Sequence, residues 1–127
     1  MAVDLATRTK EFALRIIRLY SAVPTAGAGQ VLGKQLLRSG TSVGAHYREA
    51  RRARSNAEFV SKIEGGLQEL DETAYWLELL AESGIVKPAQ LKPLQEEANE
   101  LTAILVTMTK NTKGRMKAEG GRRKDEG

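Results

Sequence analysis

This 127-residue chain has no cysteine, only three prolines, a single histidine and an aromatic content of 5%. Without cysteine it can form neither a disulfide nor a thiolate metal site, and it has no thiol nucleophile. The scarcity of proline and aromatic residues, with plentiful Leu, Ala, Glu, Lys and Arg, favours helices over a sheet. These absences predict an all-α protein of one domain, since this length suffices for one hydrophobic core.

Long apolar runs are missing as well. No stretch approaches the ~20 apolar residues that span a bilayer. The first residues, MAVDLATRTKEF, carry an acid early and have no apolar core of signal-peptide length. We therefore expect a soluble, cytoplasmic protein with no membrane partner.

The net charge of +4 is unevenly distributed along the chain. From Lys110 onward there are seven Lys or Arg and three Asp or Glu, so this segment accounts for the whole excess. The segment is also rich in glycine and has little to bury, which is typical of disorder. The sequence therefore predicts an electrically balanced domain over 1–109 and a flexible basic tail over 110–127.

Apolar residues recur at helical spacing in four segments separated by turn-forming residues. Pro24 ends the first segment and Ser83-Gly84 ends the third, whereas Pro93 cannot sit deep within a helix because it lacks the amide proton. Four amphipathic helices with short connections predict an antiparallel up-and-down four-helix bundle. The predicted helices cover about 4–23, 30–54, 56–83 and 88–110, the last with a break or its true start near Pro93 and a heptad-like seam of Leu94, Ala98, Leu101, Leu105 and Met108.

Two local patterns refine the second and third helices. Ser55 followed by Glu58 is a capping box, in which each side chain satisfies the other's free backbone amide, so a helix starts there. Gly40 and Gly44 lie one turn apart, and Gly65-Gly66 lies mid-helix, where glycine costs ~1 kcal/mol relative to alanine. Since neither pair belongs to a nucleotide-binding motif, both predict close approach of neighbouring helices.

The end of the third helix is apolar around much of its circumference. Trp76 and Leu80 lie one turn apart on a stripe different from that of Leu70 and Leu77, and Leu79 widens the apolar surface. Such a helix must be covered on more than one side. Either the bundle core is broad there or another subunit packs against it, so Trp76, Leu79 and Leu80 are candidate oligomer contacts.

Basic residues follow one face of the second helix over roughly 27 Å. Guanidinium groups in such a row favour bidentate, salt-sensitive contacts with the phosphates of a nucleic acid. The candidate contacts are Lys34, Arg38, Arg48 and Arg52 on the stripe, and Arg51 and Arg54 beside its end.

The alternative is that these arginines pair with carboxylates, which the third helix offers in number. Arg38 and Glu49 lie three turns apart and share a face, which favours a structural ion pair or polar network over an acid/base couple. The candidate members of this network are Arg38, Glu49, Ser55 and Glu58. The sequence leaves both interpretations of the arginines open.

Catalytic patterns are lacking. His46 is the only histidine, whereas di-iron sites in bundles need a Glu-x-x-His element on each of two helices. Ser39, Thr41 and Ser42 have no evident base to activate them, and hydroxyls within helices commonly bond back to the preceding turn. We therefore expect no enzyme, no metal and no cofactor.

One long run carries a family resemblance, QLLRSGTSVGAHYREARRARSNAEFVSKIEGGLQELDETAYWLELL. It resembles the 23S rRNA intervening-sequence proteins, which are typically encoded within or near insertions in bacterial large-subunit ribosomal RNA genes. The chain departs from the family where His46 stands in place of a frequent Asn. The matching pieces are Gln35-Leu36 with Arg38-Ser39, Thr41-Ser42, Glu49-Ala50, Arg54-Ser55, Glu58-Phe59 and the stretch from Glu69 to Trp76.

The resemblance implies a four-helix bundle that assembles into a homopentameric ring, a cytoplasmic location and no established enzymatic activity. The chain is also similar to the accessory proteins of diversity-generating retroelements, which are thought to hold nucleic acid for a reverse transcriptase. On this basis the predicted function is non-catalytic binding or scaffolding of nucleic acid, with RNA favoured over DNA. The alternative is a structural ring that docks another protein and has no nucleic-acid role.

Overall fold

The computed structural model describes the backbone of residues 4–126 and the side chains of residues 4–120. Within that range the chain forms four helices and no strand, so the predicted all-α four-helix fold is confirmed: α1 (Leu5–Ala22), α2 (Gly27–Arg51), α3 (Asn56–Glu82) and α4 (Pro88–Glu126). No helix in these residues is both long and apolar enough to cross a membrane. Residues 1–3 of the predicted domain and residue 127 of the predicted tail lie outside the described residues.

Successive helices run antiparallel. Contacts between neighbours pair increasing residue numbers on one helix with decreasing numbers on the next, and the short connections allow no other arrangement. The pairs are Gly40 with Ile16 and Gly44 with Thr9 between α1 and α2, Ser39 with Thr73 and Glu49 with Lys62 between α2 and α3, and Gly66 with Leu105 and Glu64 with Lys113 between α3 and α4.

The apolar stripes of all four helices meet in a common core, as the helical spacing predicts. The seam predicted on α4 is buried at Leu94, Ala98, Leu101 and Leu105. The largest fully buried side chains from the other helices are Phe12 and Ile16 of α1, Leu36 and Val43 of α2, and Ile63, Leu70, Leu77 and Leu80 of α3.

Glycines allow the close helix contacts that their positions predict. A Cβ atom at Gly40 would lie 2.8 Å from Cγ1 of Ile16, closer than two carbon atoms can pack, so α1 and α2 approach at this glycine. A Cβ atom at Gly65 would lie 2.8 Å from Nδ1 of His46, which packs into the α2–α3 contact. The glycine face of α2 comprises Gly29, Gly33, Gly40 and Gly44, and a Cβ atom added at any of them would lie within 3.4 Å of a side chain of α1 or of the loop that follows it.

The first and last helices are joined by an ion-pair cluster that the sequence analysis does not predict. Nη2 of Arg8 lies 2.7 Å from Oε1 of Glu97 and also binds Glu100. The hydrogen bond from Arg8 lowers the pKa of Glu97 below its ordinary value, and the same bond raises the pKa of Arg8. These ion pairs therefore connect α1 with α4, the first and last helices of the bundle.

The bounds of α2 differ from the predicted 30–54. The helix begins at Gly27, whose φ of +66° is readily adopted only by glycine, and it ends at Arg51. It cannot continue further because Ser55, the N-cap of α3, has an extended backbone with φ −149° and ψ 161°. A short turn therefore separates the two helices.

Pro93 does not break α4, contrary to the predicted break or start near it. The helix is continuous from Pro88, and Pro93 lies within it. The missing amide leaves the carbonyl of Ala89 without a helical donor, but both residues are exposed, so water can satisfy that group. Leu91 and Leu94, both buried, hold the two flanking turns against the core.

The C-terminal segment also differs from the prediction, since α4 continues through 110–126 where a flexible tail is expected. The seam of α4 extends into this segment: Thr109 and Thr112 are buried and Met116 is half-buried. Lys113 Nζ lies 2.6 Å from Oε1 of Glu64 on α3. The side chains of Arg122, Arg123 and Lys124, which carry much of the predicted tail charge, lie outside the described residues.

Candidate nucleic-acid interface

Arg38, in the middle of α2, is bound by carboxylates of α3. Its Nη1 lies 3.2 Å from Oε2 of Glu69 and its Nη2 lies 2.5 Å from Oε2 of Glu72. The hydrogen bond to Glu72 is the main cause of a raised pKa for Arg38. Because its donors are occupied within the subunit, Arg38 is a poor candidate for binding phosphate.

The predicted pairing of Arg38 with Glu49 is not found. Glu49 instead binds α3 through Lys62, with Nζ of Lys62 3.0 Å from Oε2 of Glu49. This hydrogen bond lowers the pKa of Glu49, and His46 contributes a smaller effect in the same direction. Arg38 and Glu49 share a helix face but meet different turns of α3, so they do not form one network.

The other two members of the predicted polar network cap α3. The Oγ atom of Ser55 accepts a hydrogen bond of 3.0 Å from the backbone amide of Glu58, as a capping box requires. The carboxylate of Glu58 accepts from the amide of Arg54 at 3.2 Å, one residue before the amide expected. Ser55 and Glu58 therefore fix the start of α3 and the turn before it.

Four arginines lie together where α2 ends and the turn to α3 begins: Arg48, Arg51, Arg52 and Arg54, here called the arginine end. All four are exposed, and none forms an ion pair with any described side chain. Arg48 and Arg51 lie in the last turn of α2, where positive charge also stabilises the helix dipole. Lys34 is exposed too, but it is roughly 20 Å from Arg48 along the helix, so the structure does not join it to the arginine end.

Two surface depressions adjoin these arginines. The first, of about 420 Å³, is lined by Ala6, Arg48, Arg51 and Arg52. The second, of about 500 Å³, is open to solvent and shares Arg51 with the first, so one basic rim runs along both. The residues that line the second are Ala50, Arg51, Ala53, Arg54, Ser55, Asn56, Phe59 and Arg115.

Arg115 is a site residue that was not predicted from the sequence, because the prediction places this position in a flexible tail. Its Nη2 atom donates a hydrogen bond of 3.2 Å to Oγ1 of Thr112 on the same helix face. The signal was available in the sequence, since Thr109, Thr112 and Met116 continue the heptad-like spacing of α4 past Lys110.

The chemistry of this end suits anion binding better than catalysis. Guanidinium groups without carboxylate partners can form bidentate hydrogen bonds with phosphate oxygens. No group of three or more potential metal ligands occurs among the described residues. Ser39, Thr41 and Ser42 each donate to backbone or side-chain oxygen atoms within the bundle, or accept from a neighbouring hydroxyl, and so behave as structural residues.

The three candidate oligomer contacts on α3 differ in how far they are exposed to solvent. Leu80 is fully buried in the core of its own subunit, so it cannot touch a second copy and is removed from the candidates. Trp76 and Leu79 are half-buried, and the neighbouring Tyr75 is 53% exposed. The Tyr75 and Trp76 rings lie 5.3 Å apart. A broad core therefore explains Leu80, and the candidate oligomer contact is reduced to the exposed aromatic patch beside it.

Comparisons with known proteins agree with the resemblance in the sequence. The family model described as 23S rRNA-intervening sequence protein matches residues 2–107. A crystal structure of a protein of unknown function from the S23 ribosomal protein family of Bacteroides thetaiotaomicron VPI-5482 is 37% identical with a TM-score of 0.77, and the match covers 84% of this chain and 99% of that one. No curated protein matches significantly. Neither description assigns a catalytic activity.

Proposed function

The chain belongs to the 23S rRNA-intervening sequence protein family, and from this premise we propose that it is a non-catalytic, cytoplasmic nucleic-acid-binding protein with RNA as its favoured partner. The arginine end contacts the phosphates. The observation that carries this proposal is the contrast within α2: Arg38 is bound by two carboxylates, whereas the four arginines of the arginine end have no acidic partner among the described side chains.

Unpaired arginines are what phosphate binding needs. A guanidinium that already binds a carboxylate must give up that bond before it binds phosphate, whereas a solvated one only releases water and counterions. Four exposed guanidinium groups beside two depressions can meet successive phosphates of one strand. The attraction is electrostatic, so it falls as salt concentration rises.

Self-association is the second part of the proposal. The chain assembles into a homo-oligomer, a pentameric ring, through the aromatic patch of Tyr75 and Trp76 with Leu79. An exposed aromatic ring beside a half-buried one is the composition that subunit contacts favour. Light scattering tests this, since a pentamer of the 13.9-kDa chain has a mass of roughly 70 kDa. A monomer at micromolar concentration contradicts it.

Fluorescence anisotropy with labelled RNA and DNA at several salt concentrations tests nucleic-acid binding. The variant changes Arg48, Arg51 and Arg52 to Gln together. If each arginine meets one phosphate of a single strand, the slope of log affinity against log salt becomes shallower by about 0.7 per residue.

Two matched variants control for net charge. One changes Lys34, Arg18 and Lys92 to Gln, which removes three exposed charges far from the arginine end. The other changes Arg122, Arg123 and Lys124 to Gln. The proposal expects the first to bind almost as the parent does, and an equal loss there contradicts the assigned site. If only the second control loses affinity for nucleic acid, binding is assigned to the C-terminal segment. If the parent protein binds no nucleic acid, the alternative function, a ring that docks another protein, replaces this one.

A further inference from the structure

The second depression at the arginine end combines two kinds of side chain. Phe59, in the first turns of α3, is half-buried: part of its ring packs on the core, and the residue also lines the depression. Arginines come from three elements around it, namely Arg51 from α2, Arg54 from the turn and Arg115 from α4. The lining of the depression thus brings together an aromatic side chain and three arginines.

These groups match the parts of a nucleotide. A base has a flat π face and stacks on aromatic side chains, while its phosphate is an anion that guanidinium groups bind in bidentate fashion. Asn56 also lines the depression, and its amide can donate to and accept from the edge of a base. The depression is open to solvent, so a nucleotide bound there can stay joined to the rest of its strand.

We propose that this depression holds one unpaired nucleotide of a single-stranded RNA, with the base against Phe59 and its phosphates on Arg51, Arg54 and Arg115. This deepens the proposed function, on which it rests, by naming the form of nucleic acid that is bound. A base within a duplex is stacked on both faces and paired at its edge, so it cannot enter the depression without being extruded. The site therefore selects single strands, loops and bulges over duplexes.

The position of Arg115 has a further consequence. It lies outside residues 2–107, the segment that the family model matches. Its placement depends on the continuation of α4, where Thr112 accepts its hydrogen bond and Lys113 binds Glu64. One wall of the nucleotide site is thus supplied by a part of this chain that the family model does not cover.

A U-rich RNA of about 12 nucleotides with one internal 2-aminopurine tests the proposal, alone and annealed to its complement. Anisotropy gives the affinity, and 2-aminopurine fluorescence reports stacking. The parent protein binds the single strand more tightly than the duplex and quenches the probe. Phe59→Leu keeps apolar volume but loses the ring, so single-strand affinity falls roughly 5- to 100-fold and quenching is lost, while duplex affinity is unchanged.

Arg115→Gln is the second variant and leaves the core untouched. It weakens single-strand binding and makes the salt dependence shallower by about 0.7. Lys110→Gln is the matched control, since Lys110 is exposed on α4 but does not line the depression, and this variant binds as the parent does. Thermal unfolding of each variant separates lost binding from lost folding.

The outcomes distinguish the two proposals. If the parent binds RNA through the arginine end but quenches no probe, or binds duplex as tightly as single strand, the nucleotide site is refuted and the proposed function stands. If Phe59→Leu and Arg115→Gln, both folded, bind as the parent does, the nucleotide site is again refuted. If the parent binds no RNA at all, both proposals fail.

Discussion

The middle of α2 and its C-terminal end carry similar residues in opposite circumstances. In the middle, Arg38 is bound by Glu69 and Glu72, and the hydroxyls of Ser39 and Thr73 lie 2.9 Å apart in the core. At the end, the four arginines have no such partners among the described side chains. The residue type alone therefore does not decide what an arginine of α2 does. Its position relative to the neighbouring helix does.

The difference follows from which residues of α3 lie opposite each part of α2. Contacts between α2 and α3 join residues whose numbers add to about 110, as with Arg38 and Glu72 or Glu49 and Lys62. Under this antiparallel register, the residues after Arg51 would meet positions before about 59, where α3 is just beginning. The carboxylate of α3 that this register brings opposite the arginine end is Glu58, and it accepts from the backbone amide of Arg54 and forms no ion pair with a guanidinium group among the described side chains.

The largest expected effect compares the packing at the middle of α2, which is tight, with that of the C-terminal segment of α4, which is open. Gly40→Val places carbon atoms against Ile16, so the free energy of unfolding falls by up to about 3 kcal/mol. Gly114→Ala on α4 has no atom within 4 Å of the new Cβ and should raise it by up to about 1 kcal/mol, as for alanine in a helix. Urea denaturation measures both, and no gain at Gly114 would mean that the segment is a flexible tail after all.

The next effect concerns the buried hydroxyl pair in the middle of α2. Thr73→Val keeps the shape of the side chain but leaves the Ser39 hydroxyl without its side-chain partner, which costs about 1–2 kcal/mol of unfolding free energy. Adding Ser39→Ala removes the stranded group and recovers part of the loss. Strictly additive effects in this double-mutant cycle would show that the two hydroxyls do not interact.

A smaller effect separates paired from unpaired arginines by pH. Since Arg8 lowers the pKa of Glu97 in the folded state, their pair stabilises the protein at neutral pH, and this stabilisation is lost as pH falls through the folded pKa. Arg8→Gln should remove at most about 1 kcal/mol of that pH dependence, because the pair is partly solvated. Arg52→Gln is the control, and an equal change there would contradict the assignment.

The smallest effect compares the two parts of α2 directly. Arg38→Gln breaks the contacts with Glu69 and Glu72 and slightly lowers the Tm at low salt. Arg52→Gln leaves the Tm unchanged or raises it, because it relieves repulsion among neighbouring arginines. Differential scanning calorimetry at low and high salt measures both, and the Arg38 effect shrinks as salt screens the pair.

Helical spacing predicts much of the fold because each stripe depends only on neighbours along the chain. The seam of α4, the start of α3 at Ser55 and the close contacts at Gly40 and Gly65 all follow from local pattern. Pro93 and the C-terminal segment are predicted less well. In both, burial of nearby side chains against other helices outweighs a local signal that opposes helix formation.

The arginines mark what local pattern cannot supply. Arg38 and Arg48 lie on the same stripe of the sequence, and only the register with α3 shows that the first is bound and the second is not. Leu80 illustrates the same gap, because an apolar position does not state which neighbour covers it. Arg115 requires the further knowledge that α4 runs back past the start of α3.

The glycine face of α2 has a consequence for the order in which the chain folds. Glycine is among the weakest helix formers, and α2 contains five glycines in 25 residues. A peptide of residues 27–51 should therefore show little helicity alone, so α2 becomes helical only as it docks on α1 and α3. We expect its amides to exchange hydrogen only through openings that also separate α2 from α1 and α3.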